Sequence, residues 1–172
     1  MKSDFLELAK SRYSVRKFKQ EPVPQECIDK ILEAARIAPT GCNNQPQRIT
    51  VVKSKEALAK LYECTRCHFN APLIFIISFD KDECWHRPYD GKLSGDIDAS
   101  IVTTHMMLEA WELGIGSCWV MHYRPEELKK AFNIPDNVET TALLVMGYPD
   151  EDSVPGPGHE GSKPLDAFVK VE

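Results

Sequence analysis

Long apolar runs are missing from this sequence. The longest, roughly Leu73 to Phe79, falls far short of the ~20 residues that a membrane-crossing helix needs. Basic charge is also in deficit: 21 Lys and Arg stand against 26 Asp and Glu, a net charge of −5. That balance argues against nucleic acid as a partner, because bulk binding of a polyanion needs a basic surface. It leaves room for a small local anion site. The N-terminal stretch MKSDFLELAKSRYS has acidic residues where an export signal carries its apolar core, so the expectation is a cytoplasmic chain. Six cysteines in that compartment read as reduced thiols rather than three bridges. No G-x-G-x-x-G sits on a strand–helix turn, which argues against a Rossmann-type nicotinamide site.

What is present is the composition of an ordinary globular chain. Of 172 residues, 42% are hydrophobic and 27% charged, enough for one domain to bury its core without a disulfide or metal staple. Apolar spacing predicts helices over 4–11, 24–38, 55–64, 96–113 and 125–132. Strands are expected over 48–53, 73–79, 116–122 and 140–146. In the longest helix Ile97, Ile101, Thr104, Met107, Leu108 and Trp111 recur at three or four, yet much of the opposite face is apolar too. Such a helix is central or packs against a partner chain. From Gly147 the sequence becomes rich in Pro and Gly, a tail expected to lie against another subunit or to stay unstructured. The alternation of helices and strands points to an α+β or α/β layered fold.

Two stretches carry candidate chemistry. In Arg12-Tyr13-Ser14-Val15-Arg16 an extended backbone points Arg12, Ser14 and Arg16 the same way. Two guanidinium forks and a hydroxyl suit a phosphate dianion; a solvated basic patch continuing through Lys17 and Lys19 is the plainer reading. In PTGCNNQPQ, residues 39–47, Gly41 permits a flat ligand to approach the backbone. The amides of Asn43 and Gln45 suit the polar edge of a heterocycle. The plainer reading there is a helix-to-strand connection. Cys64-Thr65-Arg66-Cys67-His68 spells C-x-x-C-H, a haem-attachment pattern that requires export. With Cys84 and His86 near, zinc is the other option, and unligated thiols are the expectation. Cys27, Cys42 and Cys118 read as small buried residues, and His105 as an interfacial residue. The aromatic loop Trp85–Tyr89 reads equally as a substrate lid or as a surface loop with its rings packed inward.

Taken in order, RYSVRKF, APTGCNNQP, LGIGSCW (Leu113–Trp119) and MGYP (Met146–Pro149) resemble the FMN-dependent nitroreductase family across nearly the whole chain. The resemblance implies a nitroreductase-like α+β layered fold, a central mixed sheet flanked by helices, as one FMN-binding domain over 1–172 with an extended tail from about 150. It implies a homodimer with FMN at the subunit interface. Arg12, Ser14 and Arg16 match positions that hold the FMN phosphate and ribityl chain, with Tyr13 beside them. Pro39, Thr40, Gly41 and Asn43 match the loop reaching the isoalloxazine from the other subunit, with Gln45 at its base. Cys118 and Trp119 match a strand end that passes the flavin, and Lys163 a second basic phosphate ligand. The sequence departs from the family pattern at Gln47, where an aromatic is common, at Lys163, where Arg is common, and in lacking a longer helical insertion. The implied activity is NAD(P)H oxidation through flavin N5, with a nitroaromatic, quinone or related acceptor reduced in ping-pong order. No side chain is required as acid or base. Two other readings stay open: an FMN-binding regulatory or interaction protein with little turnover, and a relative specialised in reductive dehalogenation or flavin cleavage.

Overall fold

The computed structural model describes residues 4–172, so Met1–Ser3 of the N-terminal stretch read above lie outside the described residues. The chain runs α1 (Phe5–Ser11), α2 (Gln25–Ile37), β1 (Gln47–Val52), α3 (Lys55–Tyr62), β2 (Leu73–Asp80), α4 (Gly95–Glu112), β3 (Gly116–Val120), α5 (Pro125–Phe132) and β4 (Val138–Gly147). Local chemistry sets several boundaries. Asp4 caps α1 by accepting from the Leu6 N–H at 2.9 Å, and Ser54 caps α3 through the Ala57 N–H. Pro24 precedes α2, and Pro39 follows it. Gly114, at φ +75°, supplies the left-handed residue just beyond α4.

The four strands order as β1-β2-β4-β3 and pair antiparallel throughout. The parallel pairing expected of a mixed sheet is confined to one bridge, Ser14 beside Ser117, where the segment after α1 lies along β3. All eight residues of β2 are buried because both faces of the sheet are covered. On one face Leu73, Phe75, Ile77 and Phe79 pack with α2 and α4. On the other Ile74 and Ile76 pack with Leu61 of α3 and Leu128 of α5. The period-two alternation of one strand thus fills both cores of a three-layer α+β fold.

Two expectations change. The residues of α4 that face the sheet and α2 are Ala99, Val102, Met106 and Ala110, with Met107 beside them. Of the residues singled out at that spacing, Met107 is buried and Ile101 and Trp111 pack against the cores, whereas Ile97 is 51% exposed and Thr104 is also exposed. With apolar residues all round, period alone cannot choose a face, and the small side chains Ala99 and Ala110 let this one approach more closely. The start of the tail also finds a place on its own chain. The Tyr13 hydroxyl donates to the Ser153 carbonyl at 3.2 Å, and the His159 ring meets Tyr13 edge-on at 6.2 Å. Beyond His159 every residue is exposed.

Candidate functional site

The segment after α1 is extended from Arg12 onward, because the Arg12 backbone leaves the helix at ψ 132°. Val15, fully buried, locks it to β3: its N–H donates to the Ser117 carbonyl at 3.0 Å. Its side chain fills the space above Gly116, where a Cβ would come within 2.5 Å of Val15 Cγ2. With Val15 turned inward, Arg12, Ser14 and Arg16 share the other side of the segment. Together with Tyr13 they line a cavity of about 540 Å³, closed opposite by residues 156–159. Arg12 itself is half-buried, and its Nη1 is buried with no hydrogen-bond partner among the described residues. Arg16 is exposed and spends one N–H on the Ser14 carbonyl at 3.2 Å.

Cys118 lies near this group. Burial pushes its thiol up, against the opposing pull of the Arg16 charge and a hydrogen bond with Ser14. Trp119 packs instead with the cluster under α2 and α4, as strand alternation requires. Lys163 falls in the exposed stretch after His159 and is not among the residues lining the cavity. Residues 156–159 were not legible as site residues. Gly156, Gly158 and Gly161 do spell G-x-G-x-x-G, but in a run of turns with no helix following directly.

The second stretch forms a separate structure. Thr40 Oγ1 accepts from the Gln45 N–H at 3.0 Å, closing a loop that begins with a single 3₁₀ turn, Gly41–Asn43. Cys42, Asn43 and Gln45 all have positive φ, at 51°, 56° and 52°. Left-handed backbone costs a non-glycine residue ~1–2 kcal/mol, and such strain persists only where surrounding contacts enforce it. The enforcement is visible. Asn44 Nδ2 donates to the Glu83 carbonyl and Gln45 Nε2 to the Arg36 carbonyl, while the Gly41 N–H donates to the carboxylate of Asp98 on α4 at 2.8 Å. Asn43 is exposed, and its side chain makes no hydrogen bond among the described residues. Cys42, expected to be buried, is exposed because the turn points it outward. Among the described residues no hydrogen bond joins this loop to the Arg12–Arg16 segment, so within one chain the two stretches form separate structures.

The remaining candidates stand apart. Cys64 is buried and donates to the Lys60 carbonyl, and His68 stacks on Tyr62 at 3.9 Å. Burial lowers the His68 pKa. No group of three or more metal-ligating side chains occurs among the described residues. His105 is half-buried, with Nδ1 2.9 Å from the Ile101 carbonyl. In the aromatic loop Trp85 is 37% exposed and Tyr89 94%, so its rings are not packed inward.

A model of the nitroreductase family matches residues 9–71 and 68–148, a span that includes Arg12–Arg16, the Thr40–Gln45 loop and all four strands. The chain belongs to the nitroreductase family. A crystal structure of a nitroreductase family protein from Clostridium difficile 630 is 44% identical, covers 98% of each chain and superposes with a TM-score of 0.92. An FMN-dependent nitroreductase from Clostridium difficile R20291 is 28% identical over 97% of this chain and 98% of its own, with a TM-score of 0.80. A Methanothermobacter thermautotrophicus protein carrying the inferred name NADH dehydrogenase/NAD(P)H nitroreductase is 33% identical over 160 residues, 88% of this chain and 80% of its own. The nitroreductase fold expected from the four motifs is therefore the fold observed.

Proposed function

We propose that this chain is an FMN-dependent NAD(P)H oxidoreductase that works as a homodimer. The observation that carries the reading is Arg12. A buried N–H without an acceptor costs ~1–3 kcal/mol, and Arg12 Nη1 accepts that cost at a cavity shared with Ser14 and Arg16. A terminal phosphate dianion satisfies such donors, so the residues present fit FMN. Relatives named FMN-dependent nitroreductase and FMN reductase support the same ligand.

When bound, the flavin supplies hydride transfer between reduced nicotinamide and an acceptor such as a nitroaromatic or quinone. The chain supplies position. Arg12 and Arg16 hold the phosphate end, Ser14 adds a hydroxyl donor, and Lys163 adds a point charge from the tail. Tyr13, Cys118 and Trp119 shape the strand end beside them. Pro39, Thr40 and Gly41 offer backbone to a flat ring, and Asn43 offers a side-chain amide that has no partner among the described residues. Gln45, tied to the Arg36 carbonyl, holds the loop's base. We assign no side chain as acid or base, and both substrates take the same place in turn, in ping-pong order.

The loop of one chain serves the cavity of the other in this reading. Apolar residues left exposed on α4 and the tail support the pairing: Ile97, Leu165 at 72%, Phe168 at 67% and Val171 at 91%. Such side chains are what a subunit interface covers. The test has three arms. Purified protein should be yellow or bind added FMN more tightly than riboflavin in a fluorescence titration. NADH or NADPH should bleach the flavin in a stopped-flow experiment, and sedimentation should give a dimer. Equal affinity for riboflavin and FMN overturns the phosphate assignment. Flavin that stays oxidised under both nicotinamides leaves a binding protein without turnover.

A further inference from the structure

We propose that Asp98 is a positioning residue that clamps the Thr40–Gln45 loop to the Trp85–Ser94 loop, so that the two move as one unit beside the flavin ring. The proposal rests on the reading above that the first of these loops faces the ring. Asp98 is only 2% exposed, and among the described residues no Lys, Arg or His lies within ion-pair distance of it. A buried carboxylate without a cation is tolerated only if its oxygens are satisfied by hydrogen bonds.

Here both oxygens are committed outside the helix. Oδ1 accepts from the Gly41 N–H at 2.8 Å, and Oδ2 accepts from the Ser94 hydroxyl at 2.6 Å. Ser94 Oγ in turn accepts from the Trp85 N–H at 3.0 Å. The hydroxyl gives its one proton to the carboxylate and takes one on a lone pair, so every donor in the chain has a direction. An ionised acceptor at the centre strengthens the whole set.

A second observation is independent of hydrogen bonding. A Cβ on Gly41 would lie 3.0 Å from Trp85 Cβ and 3.3 Å from Ser94 Oγ. The two loops therefore touch at backbone distance at the point where Asp98 ties them. The second loop is itself closed, by the Ser94 N–H donating to the Trp85 carbonyl at 2.9 Å and by a bridge between His86 and Leu93. Its tip carries Tyr89, 94% exposed. Strained backbone at Cys42, Asn43 and Gln45 needs an outside constraint, and Asp98 provides it while coupling it to the aromatic loop.

The test compares Asp98→Ala, Asp98→Asn, Ser94→Ala and Gly41→Ala with the wild-type chain. In flavin-free protein, amide hydrogen exchange should rise at least tenfold in both segments 39–45 and 84–95 for Asp98→Ala and Ser94→Ala, and remain unchanged in β2. Asp98→Asn, which still accepts from Gly41, should show a smaller rise. In FMN-loaded protein, Asp98→Ala should hold FMN within about threefold of wild type, while reduction by NAD(P)H slows at least tenfold and the acceptor KM rises. Gly41→Ala, which keeps its N–H but forces Trp85 away, should raise the acceptor KM similarly. If Asp98→Ala does not fold, Ser94→Ala carries both arms. Faster exchange confined to residues 39–45 overturns the coupling, and unchanged reduction rate and acceptor KM overturn its service to the flavin. Wild-type protein that binds no FMN would instead overturn the proposed function, with the exchange result still standing on its own.

Discussion

The Arg12–Arg16 segment and the Thr40–Gln45 loop are candidate halves of one site, yet they are built on opposite plans. The first is held by packing. Val15 is sunk against Gly116, Tyr13 meets Trp111 edge-on at 5.2 Å, and the tail closes over the cavity from the same chain. Its unmet group, Arg12 Nη1, is buried. The second is held by backbone and amide hydrogen bonds to three separate elements and keeps three residues in left-handed backbone. Its unmet group, the Asn43 amide, points outward. A half-site closed by its own chain can bind ligand alone, whereas an outward one is completed by what docks on it.

The largest expected effect falls on the packed half. Charge-assisted hydrogen bonds contribute ~1.5–3 kcal/mol each, so Arg12→Ala should weaken FMN by about one hundredfold and leave riboflavin affinity unchanged. Arg16→Ala, in solvent, should cost about tenfold. Equal losses for both variants in parallel fluorescence titrations would erase the distinction drawn from burial.

Next comes a pair of glycines. At Gly116 the added methyl meets Val15 at 2.5 Å in a filled core. Overpacking of that kind costs ~1–3 kcal/mol, and at this chain length each kcal/mol moves Tm by roughly 2–4 °C. Gly116→Ala should therefore melt several degrees lower by calorimetry. Gly41→Ala, at a looser 3.0 Å contact near the surface, should melt within about 2 °C of wild type.

A smaller shift separates holding from tuning. Reduction places negative charge on the polar edge of the flavin, and donors aimed there favour the reduced state. Asn43→Ala should lower the midpoint potential by about 30 mV if ~1.4 kcal/mol of that preference is lost, with a lesser change in FMN affinity. An unchanged potential with a large affinity loss would make Asn43 an anchor only, and a spectroelectrochemical titration decides it.

The smallest effect needs no mutation. Burial pushes the Cys118 and Cys64 thiols up, so at neutral pH less of each is thiolate than in an ordinary cysteine. The thiolate fraction recovers only as pH rises past those elevated values. Cys42, exposed on the outward loop, should react with a chromogenic disulfide reagent well before either one. Simultaneous labelling of Cys42 and Cys118 at pH 7 would mean that the packed half opens readily.

What the sequence made legible follows the same division. The continuous run of β2 and the regular spacing of α2 can be read because burial on a period leaves a pattern in residue type. The Arg12–Arg16 segment could be read as extended because it is polar and runs on to Pro22 and Pro24, and extended backbone then puts two Arg and a Ser on one side. Asp98 could not, since an acid in the first turn of a helix also suits the helix dipole. Its one signal is position: it precedes Val102 by four and Ala99 by one, on the stripe that proves to be buried. That stripe could not be singled out in the sequence, because α4 is apolar on both sides. Left-handed backbone at Cys42 and Gln45 has no residue-type signature outside Gly and Asn, and the closure of the cavity by residues 156–159 depends on contacts that no local window contains.

That closure has a consequence for when the cavity exists. The hydrogen bond from Tyr13 to Ser153 spans 140 positions, and β4, which lies between β2 and β3 in the sheet, is the last of the four strands in the chain. A ribosome that has made β3 has therefore produced a sheet with its middle missing and a guanidinium with no wall opposite. Contacts of such long range form late and slowly. During synthesis the Arg12–Arg16 cavity is consequently among the last parts to close, and in the proposed function FMN loading waits on it.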